Sequence, residues 1–287
     1  MIKCIVCDLD GTLLQNGYTI EKQTVELLKK YISEGVRFVV ATGRDYSIAS
    51  SIMKTYALKA DYILCNGTRY RNASGTIDEF YPMRDEDFLL ICDLLLKKDY
   101  SLTIHTTKGR YGLKNEEVFW NHYLKMFAVS GLNYTEEQIA MQKERQLKDL
   151  YFVDEPIDLV KQGIKVLKID ARHVDSANIQ QVRTQVNIPG LFIGSSFAYN
   201  VEITEKSANK ANLLKDLMRK YGFKKSEVAV FGDGENDIGM LSLVDYSFAP
   251  QNADDEVKQI AFHTLEKTNI QGAVGEGIVF LQESGVL

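Results

Sequence analysis

The sequence has little proline, tryptophan, histidine or cysteine, and it lacks any long apolar run. Its 287 residues include four prolines, four cysteines, four histidines and one tryptophan. No apolar stretch approaches the roughly 20 residues that a transmembrane helix requires, which argues against a membrane protein. The apolar start of the chain is broken at Asp8, so it does not resemble a signal peptide. We therefore expect an intracellular, cytoplasmic protein.

The cysteines and histidines lack the spacing of a metal site. Cys4 and Cys7 have two residues between them, but no second such pair or neighbouring histidine completes a zinc site. Reduced, buried thiols in apolar segments explain all of the cysteines, which include Cys65 and Cys92. The scattered histidines are not assigned as ligands.

The charge balance excludes another class of partner. The chain carries 34 basic and 39 acidic residues, for a formal net charge of −5, and no basic stripe stands out. A nucleic-acid-binding surface is therefore not expected. With 45% hydrophobic and 25% charged residues the composition is that of a globular protein, of one large or two modest domains. The oligomeric state is left open.

The first third of the chain alternates predicted strands and helices. Continuous apolar strands with short helices between them indicate a parallel sheet that is covered on both faces. Ligands bind at the carboxyl ends of the strands in such sheets. Polar residues follow each predicted strand, at 8–10, 42–44 and 66–67.

From about residue 84 the pattern changes to mixed strands and helices without clear crossover units, which predicts a separate α+β module. A turn-rich segment, Asn187-Ile188-Pro189-Gly190, predicts the return to the first domain. We therefore predict a core domain over 1–83 and 189–287 and an inserted domain over 84–188.

The segment Asp8-Leu9-Asp10-Gly11-Thr12-Leu13 directly follows the first predicted strand. Two carboxylates at a strand end can hold a divalent cation beside a nucleophile, and a carboxylate can itself accept a phosphoryl group. The second carboxyl can exchange protons with a leaving group and with water. Gly11 allows the backbone to turn. The structural alternative is an Asx-type turn that closes the strand.

A similar acidic loop, Phe231-Gly232-Asp233-Gly234-Glu235-Asn236-Asp237, follows the apolar run at 228–231. Mg²⁺ takes oxygen ligands and keeps several waters, so Asp233 as a ligand and Asp237 beside a bound water would suffice. The alternative is a helix start capped by Asn236 or Asp237.

Two further segments provide groups that bind anions. Thr42-Gly43-Arg44 places a hydroxyl and backbone N–H groups between a strand and a helix. Lys210 opens a helix and can place a positive charge on a phosphate. Taken alone, the first segment is also typical of a turn with a helix cap, and the lysine of a solvated side chain.

The order of these motifs along an α/β chain resembles the four motifs of the haloacid dehalogenase superfamily. Arg44, the Asn66-Gly67 pair and the α+β insertion resemble its Cof-type, type IIB capped branch. The resemblance covers the whole chain. It implies a Rossmann-like parallel-sheet core with an inserted α+β cap of the C2B type.

The resemblance also implies roles for the acidic residues. Asp8 would be the nucleophile that becomes phosphorylated, and Asp10 the general acid and base. Mg²⁺ would be held by the Asp8 carboxylate, the Asp10 backbone carbonyl and Asp233, with Asp237 supporting its waters.

The remaining motif residues would bind the substrate. Thr42 and Lys210 would contact the phosphoryl oxygens, helped by backbone N–H groups around Gly11 and Gly43, and Asn236 would orient Lys210 or the phosphate. The mouth of the site would be formed by Arg44, Asn66 and Gly67. Phosphoryl transfer depends mostly on positioning and on neutralising charge, which this set of residues provides.

The implied function is a Mg²⁺-dependent phosphomonoesterase that hydrolyses small phosphorylated metabolites such as sugar phosphates through an aspartyl-phosphate on Asp8. One alternative is a phosphotransferase or phosphomutase on the same scaffold. Another is a non-catalytic binder of metal or phospho-ligand, but such a protein does not need an acid–base residue two positions from the nucleophile.

Overall fold

The computed structural model describes residues 1–129, 134–195 and 198–287. Its strands are β1 Cys4–Cys7, β2 Arg37–Ala41, β3 Asp61–Leu64, β4 Arg69–Arg71, β5 Asp78–Phe80, β6 Ser101–Thr106, β7 Gly109–Leu113, β8 Leu150–Val153, β9 Val166–Arg172, β10 Leu191–Gly194, β11 Asn200–Glu205, β12 Val228–Phe231, β13 Tyr246–Ala249 and β14 His263–Thr264. Its helices are α1 Lys22–Ser33, α2 Tyr46–Thr55, α3 Asp85–Leu96, α4 Glu116–Val129, α5 Glu136–Leu147, α6 Pro156–Lys161, α7 Ser176–Gln185, α8 Lys210–Tyr221, α9 Ile238–Leu241, α10 Asp255–Ile260 and α11 Ala273–Glu283.

The chain divides into two compact units, of which the first comprises 1–79 and 208–287. Its sheet has the order β14-β13-β12-β1-β2-β3-β4-β5, parallel from β14 to β3, after which β4 runs antiparallel to β3. Every residue of the central strands β1 and β12 is buried, as a parallel sheet covered on both faces requires. The predicted α/β fold class is confirmed.

The second unit comprises residues 80–207 and has its own sheet, in the order β10-β11-β9-β6-β7-β8. Its strands pair antiparallel except for β7 and β8, which are parallel. Ile104, Ile169 and Ile203 lie side by side on neighbouring strands and belong to one apolar core. Helices α3, α6 and α7 complete this core with Phe88, Leu159 and Val182, among other residues.

These units do not divide the chain at the predicted positions 83/84 and 188/189. The larger difference concerns 189–207, which we had assigned to the core domain. Strands β10 and β11 lie in this segment, and β11 pairs with β9 of the second sheet. The turn at 187–190 therefore joins a helix and a strand of the same unit, whereas the chain returns to the first unit at Ala208.

The four cysteines are buried, as expected. Among the residues that the structure describes, none of the helices is both long enough and apolar enough to cross a membrane.

Candidate active site

The sheet order brings the two acidic motifs together. β1 and β12 are neighbouring parallel strands with Cys7 opposite Phe231, and the Asp8 N–H donates to the Phe231 carbonyl at 3.0 Å. The residues that follow each strand therefore leave the sheet at the same edge. One carboxylate oxygen from each of Asp8, Asp233 and Asp237 lies within 4.8 Å of the other two.

Lys210 joins this carboxylate group from the first residue of α8. Its Nζ donates to Oδ1 of Asp8 at 2.6 Å and to Oδ1 of Asp237 at 2.8 Å. The lysine side chain is only 1% exposed, so this charge is not the solvated one that a lone lysine usually provides. The helix begins here because the Asn209 side chain accepts from the Asn212 N–H and caps it.

Asp237 shapes the acidic loop as well as holding Lys210. Its Oδ2 accepts hydrogen bonds from the backbone N–H groups of Asp233 and Gly234, at 3.1 and 3.2 Å. Both carboxylate oxygens thus have partners in the protein. This arrangement orients Lys210 and the Asp233 loop, a role that we had not predicted for Asp237.

Asp233 is held against the loop that follows Asp8. The Thr12 hydroxyl donates to Oδ1 of Asp233. Gly11 has φ +78, and a Cβ on it would lie 2.1 Å from Oδ2 of Asp233. The residue must therefore be glycine both for its conformation and for space. We gave Thr12 no role from the sequence, although its hydroxyl within the first motif was a signal for one.

The charges in this group are incompletely balanced. Burial is the largest influence on the pKa of Asp8 and raises it well above its ordinary value; Lys210 opposes this rise, while Asp237 and Asp233 add to it. Burial likewise raises the pKa of Asp233 to about 6. Burial by itself would lower the pKa of Lys210, but Asp237 and Asp8 leave it raised. A site with this excess of negative charge favours a further cation.

The Asp10 side chain does not belong to the cluster of carboxylates around Lys210 and pairs with Arg44 instead. The guanidinium donates from Nε to Oδ2 of Asp10 at 2.6 Å and from Nη2 to Oδ1, which makes a bidentate ion pair. The Asp10 side chain is 55% exposed. Nη1 of Arg44 is buried and has no hydrogen-bond partner in the described part of the chain. Tyr18 lies beside the guanidinium, with 5.3 Å between the ring centroid and Cζ.

The segments after β2 and β3 pack against each other. The Asn66 N–H donates to the Thr42 carbonyl at 3.1 Å, and the Arg44 N–H donates to the buried Thr42 hydroxyl at 3.1 Å. A Cβ on Gly43 would lie 2.8 Å from Oδ1 of Asn66. Close packing thus explains why glycine stands at position 43.

Gly67 and Asn236 connect these segments to the rest of the site. Gly67 has φ +102, and a Cβ on it would lie 2.2 Å from the carbonyl carbon of Asn209, directly before Lys210. Nδ2 of Asn236 donates to Oδ1 of Asn66 at 3.2 Å. The structure thus places Asn236 on Asn66, whereas we had predicted that it would orient Lys210 or a phosphate.

A model of the haloacid dehalogenase-like hydrolase family matches residues 5–278. The chain belongs to this family. The predicted resemblance is confirmed, and with it the expectation that the protein is an enzyme, a phosphatase of this family.

Relatives and solved structures agree with this family assignment. The haloacid dehalogenase-like chain is 25% identical to the 5-amino-6-(5-phospho-D-ribitylamino)uracil phosphatase YwtE of Bacillus subtilis, over 90% of this chain and 91% of that protein. It is 26% identical to a second 5-amino-6-(5-phospho-D-ribitylamino)uracil phosphatase, YbjI of Escherichia coli, over 95% of this chain and 94% of that protein. The structure of a haloacid dehalogenase-like hydrolase from B. subtilis superposes with a TM-score of 0.80 at 22% identity, and the match covers 98% of this chain and all of the other. This last likeness supports the same fold, a Rossmann-like core with a cap.

Proposed function

We propose that this protein is a Mg²⁺-dependent phosphomonoesterase that hydrolyses small phosphorylated metabolites through an aspartyl-phosphate on Asp8. The observation that carries the proposal is the convergence of Lys210, Asp233 and Asp237 on the Asp8 carboxylate. Relatives over nearly the full length of the chain are named as phosphatases of a phosphorylated ribitylamino-uracil, which supports this substrate class.

The donor set fits Mg²⁺. It consists of carboxylate oxygens, which hard divalent cations prefer, and it has the excess negative charge described above. Asp8 and Asp233 would hold the ion together with the Asp10 backbone carbonyl, and Asp237 would support its waters. Bound there, the ion supplies neutralisation of the charge on the phosphoryl oxygens.

In the first step an Asp8 carboxylate oxygen attacks phosphorus, and the bond between phosphorus and the leaving oxygen breaks. Asp10 gives its proton to that oxygen, so the product leaves as an alcohol. Lys210 and the Thr42 hydroxyl, with backbone N–H groups around Gly11 and Gly43, bind the non-bridging oxygens. The bidentate pair with Arg44 holds the ionised form of Asp10, so one of its two hydrogen bonds must open when Asp10 carries the proton of this step. The buried Nη1 of Arg44 remains available to a substrate oxygen.

In the second step water attacks the phosphorus of the aspartyl-phosphate, and Asp10 accepts a proton from it. The bond between phosphorus and the Asp8 oxygen breaks, which regenerates the carboxylate and releases inorganic phosphate. Asp10 is protonated again, as the next turnover requires.

The test is release of inorganic phosphate from p-nitrophenyl phosphate and from a panel of phosphorylated metabolites, with Mg²⁺ and with EDTA. We expect Mg²⁺-dependent release with no need for a bisphosphate activator. Retention of the phosphate on a sugar substrate would instead support the phosphomutase alternative. Absence of hydrolysis across the whole panel would contradict the proposal.

Mg²⁺ is expected to stabilise the fold, because it binds the cluster of carboxylates that exists only in the folded protein. At about 100 times its Kd the ion adds about 2.7 kcal/mol to the free energy of unfolding. Differential scanning calorimetry should show a Mg²⁺-dependent rise of the unfolding temperature. We expect Asp233→Asn to lose most of that rise and the control Asp255→Asn, at a position 97% exposed, to keep it. An equal rise in both variants would place the ion elsewhere.

Asp10→Asn is expected to lower kcat by about 10²- to 10⁴-fold, because an amide cannot exchange the proton in either step. The second step is the same for every substrate, so the dependence on the leaving group is expected in kcat/KM, which reports the first step. The loss of kcat/KM should be smaller for substrates with good leaving groups, which need less help from an acid. Steady-state kinetics with p-nitrophenyl phosphate and an alkyl phosphate measure this difference, and equal losses of kcat/KM on both substrates would argue against the role of Asp10 as an acid.

A further inference from the structure

The second unit contains a cavity of about 470 Å³, and all of the described residues that line it belong to that unit. Its apolar wall includes Cys92 of α3, Leu102 of β6 and Phe119 of α4, which are all buried. Cavities of this size and character bind small molecules. None of the residues used in the proposed reaction lines it.

Two apolar side chains that line this cavity are partly exposed. Leu96 at the end of α3 is 41% exposed and Val118 in the first turn of α4 is 37% exposed, and both line the cavity. Exposed apolar surface around an opening indicates a site at which apolar groups are buried on binding.

The charged lining of the cavity is mostly acidic. Four carboxylates line the cavity, namely Asp93, Asp99, Asp154 and Glu155. They outnumber the lysines, since Lys114 is the one lysine among the described lining residues. Asp93 pairs with Lys97 at 2.6 Å. Asp99 is 81% exposed and makes a long contact of 3.8 Å with His122. A lining with more acidic than basic side chains attracts cations rather than anions.

Asp99 and His122 mark where the charged end of a ligand would lie. Oδ1 of Asp99 and Nε2 of His122 are 3.8 Å apart, too far for a direct hydrogen bond but close enough for both to accept from one ammonium group. Burial lowers the pKa of His122, which favours the neutral ring that such acceptance requires. Phe119 lies one turn before His122 on the same face of α4 and offers an aromatic surface to the hydrocarbon part.

We propose that this cavity is a second binding site, for small organic cations in which a primary amine carries an aromatic or branched apolar group. The ammonium contacts Asp99 and His122, and the apolar group occupies the space between Leu102, Phe119 and Cys92.

The test compares 2-phenylethylamine with 2-phenylethanol, which has similar size but no charge. Isothermal titration calorimetry on the full chain, at neutral pH and low ionic strength, should show saturable binding of the amine at millimolar concentration. Loss of an ion pair to an exposed carboxylate costs up to about fivefold in affinity. We therefore expect the wild type to bind the alcohol, and Asp99→Asn to bind the amine, more weakly by up to that factor.

Val118→Arg places a positive charge, the same sign as that of the amine, at a partly exposed position that lines the cavity. We expect it to weaken amine binding by about tenfold or more. Leu124→Arg, at a position 39% exposed on the same helix but outside the cavity, should bind the amine like the wild type. Asp8→Asn should also bind it unchanged, which separates this site from the hydrolytic one.

The remaining outcomes overturn the proposal. If neither probe saturates, the cavity is not a site for these compounds. Equal affinity for amine and alcohol removes the preference for cations. If Leu124→Arg or Asp8→Asn weakens binding as much as Val118→Arg does, the amine binds elsewhere.

Discussion

Asp8→Asn is expected to abolish phosphate-ester hydrolysis while the protein remains folded. An amide cannot attack phosphorus, so no aspartyl-phosphate forms, and loss of a nucleophile lowers kcat by at least about 10⁴-fold. The amide oxygen can still accept the hydrogen bond that Lys210 Nζ donates to Oδ1 at 2.6 Å. The substitution therefore changes the chemistry of the site more than its structure.

If Asp8→Asn is at least as stable to unfolding as the wild type, its loss of activity cannot result from unfolding. Because burial raises the pKa of Asp8 in the folded protein, the ionised carboxylate weakens the metal-free fold at neutral pH, and this cost appears as the pH rises through the folded pKa. An uncharged amide removes the cost. We therefore expect the unfolding temperature of metal-free Asp8→Asn to equal or exceed that of the wild type.

Phosphate release from p-nitrophenyl phosphate and calorimetry of the same samples test both expectations. Asp216→Asn is the matched control, since it removes a carboxylate that is 53% exposed on α8 and should change neither quantity appreciably. Wild-type turnover by Asp8→Asn would show that another residue is the nucleophile.

The meeting of the carboxylates in the candidate site was predictable because the carboxyl ends of parallel strands lie at one edge of a sheet. The segments 4–7 and 228–231 are buried strands that lie side by side in the sheet, so Asp8 and Asp233 emerge close together. Glycines in the motifs also indicated close packing between the segments that follow the strands, because Gly11 and Gly43 stand where a Cβ would clash.

Contacts that depend on side-chain direction were not predictable. The sequence pattern does not indicate that Arg44 turns towards Asp10, or that Asn236 turns towards Asn66. The extent of the inserted unit was also hidden, because β10 and β11 are short strands that join the second sheet only through antiparallel pairing, of β10 with β11 and of β11 with β9.

Lys210→Met is expected to have the largest effect on stability. Removing the ammonium leaves Asp8 and Asp237 buried beside each other without the partner that both contact. Breaking a buried ion pair in this way costs about 3 to 5 kcal/mol, whereas methionine fills nearly the same volume. Urea denaturation of the metal-free protein should show this loss, and Lys220→Met, at a 36% exposed position of the same helix, should show little.

Mg²⁺ separates the two roles of this lysine. The ion can compensate Asp8 and so should restore part of the stability of Lys210→Met, but it would not replace the hydrogen bonds that Lys210 gives to phosphoryl oxygens in the proposed reaction. Turnover should therefore stay about 10²- to 10³-fold below the wild type even at saturating Mg²⁺, as for loss of one donor to a developing negative charge. Full recovery of turnover with Mg²⁺ would mean that Lys210 acts only on the carboxylates and does not contact the substrate.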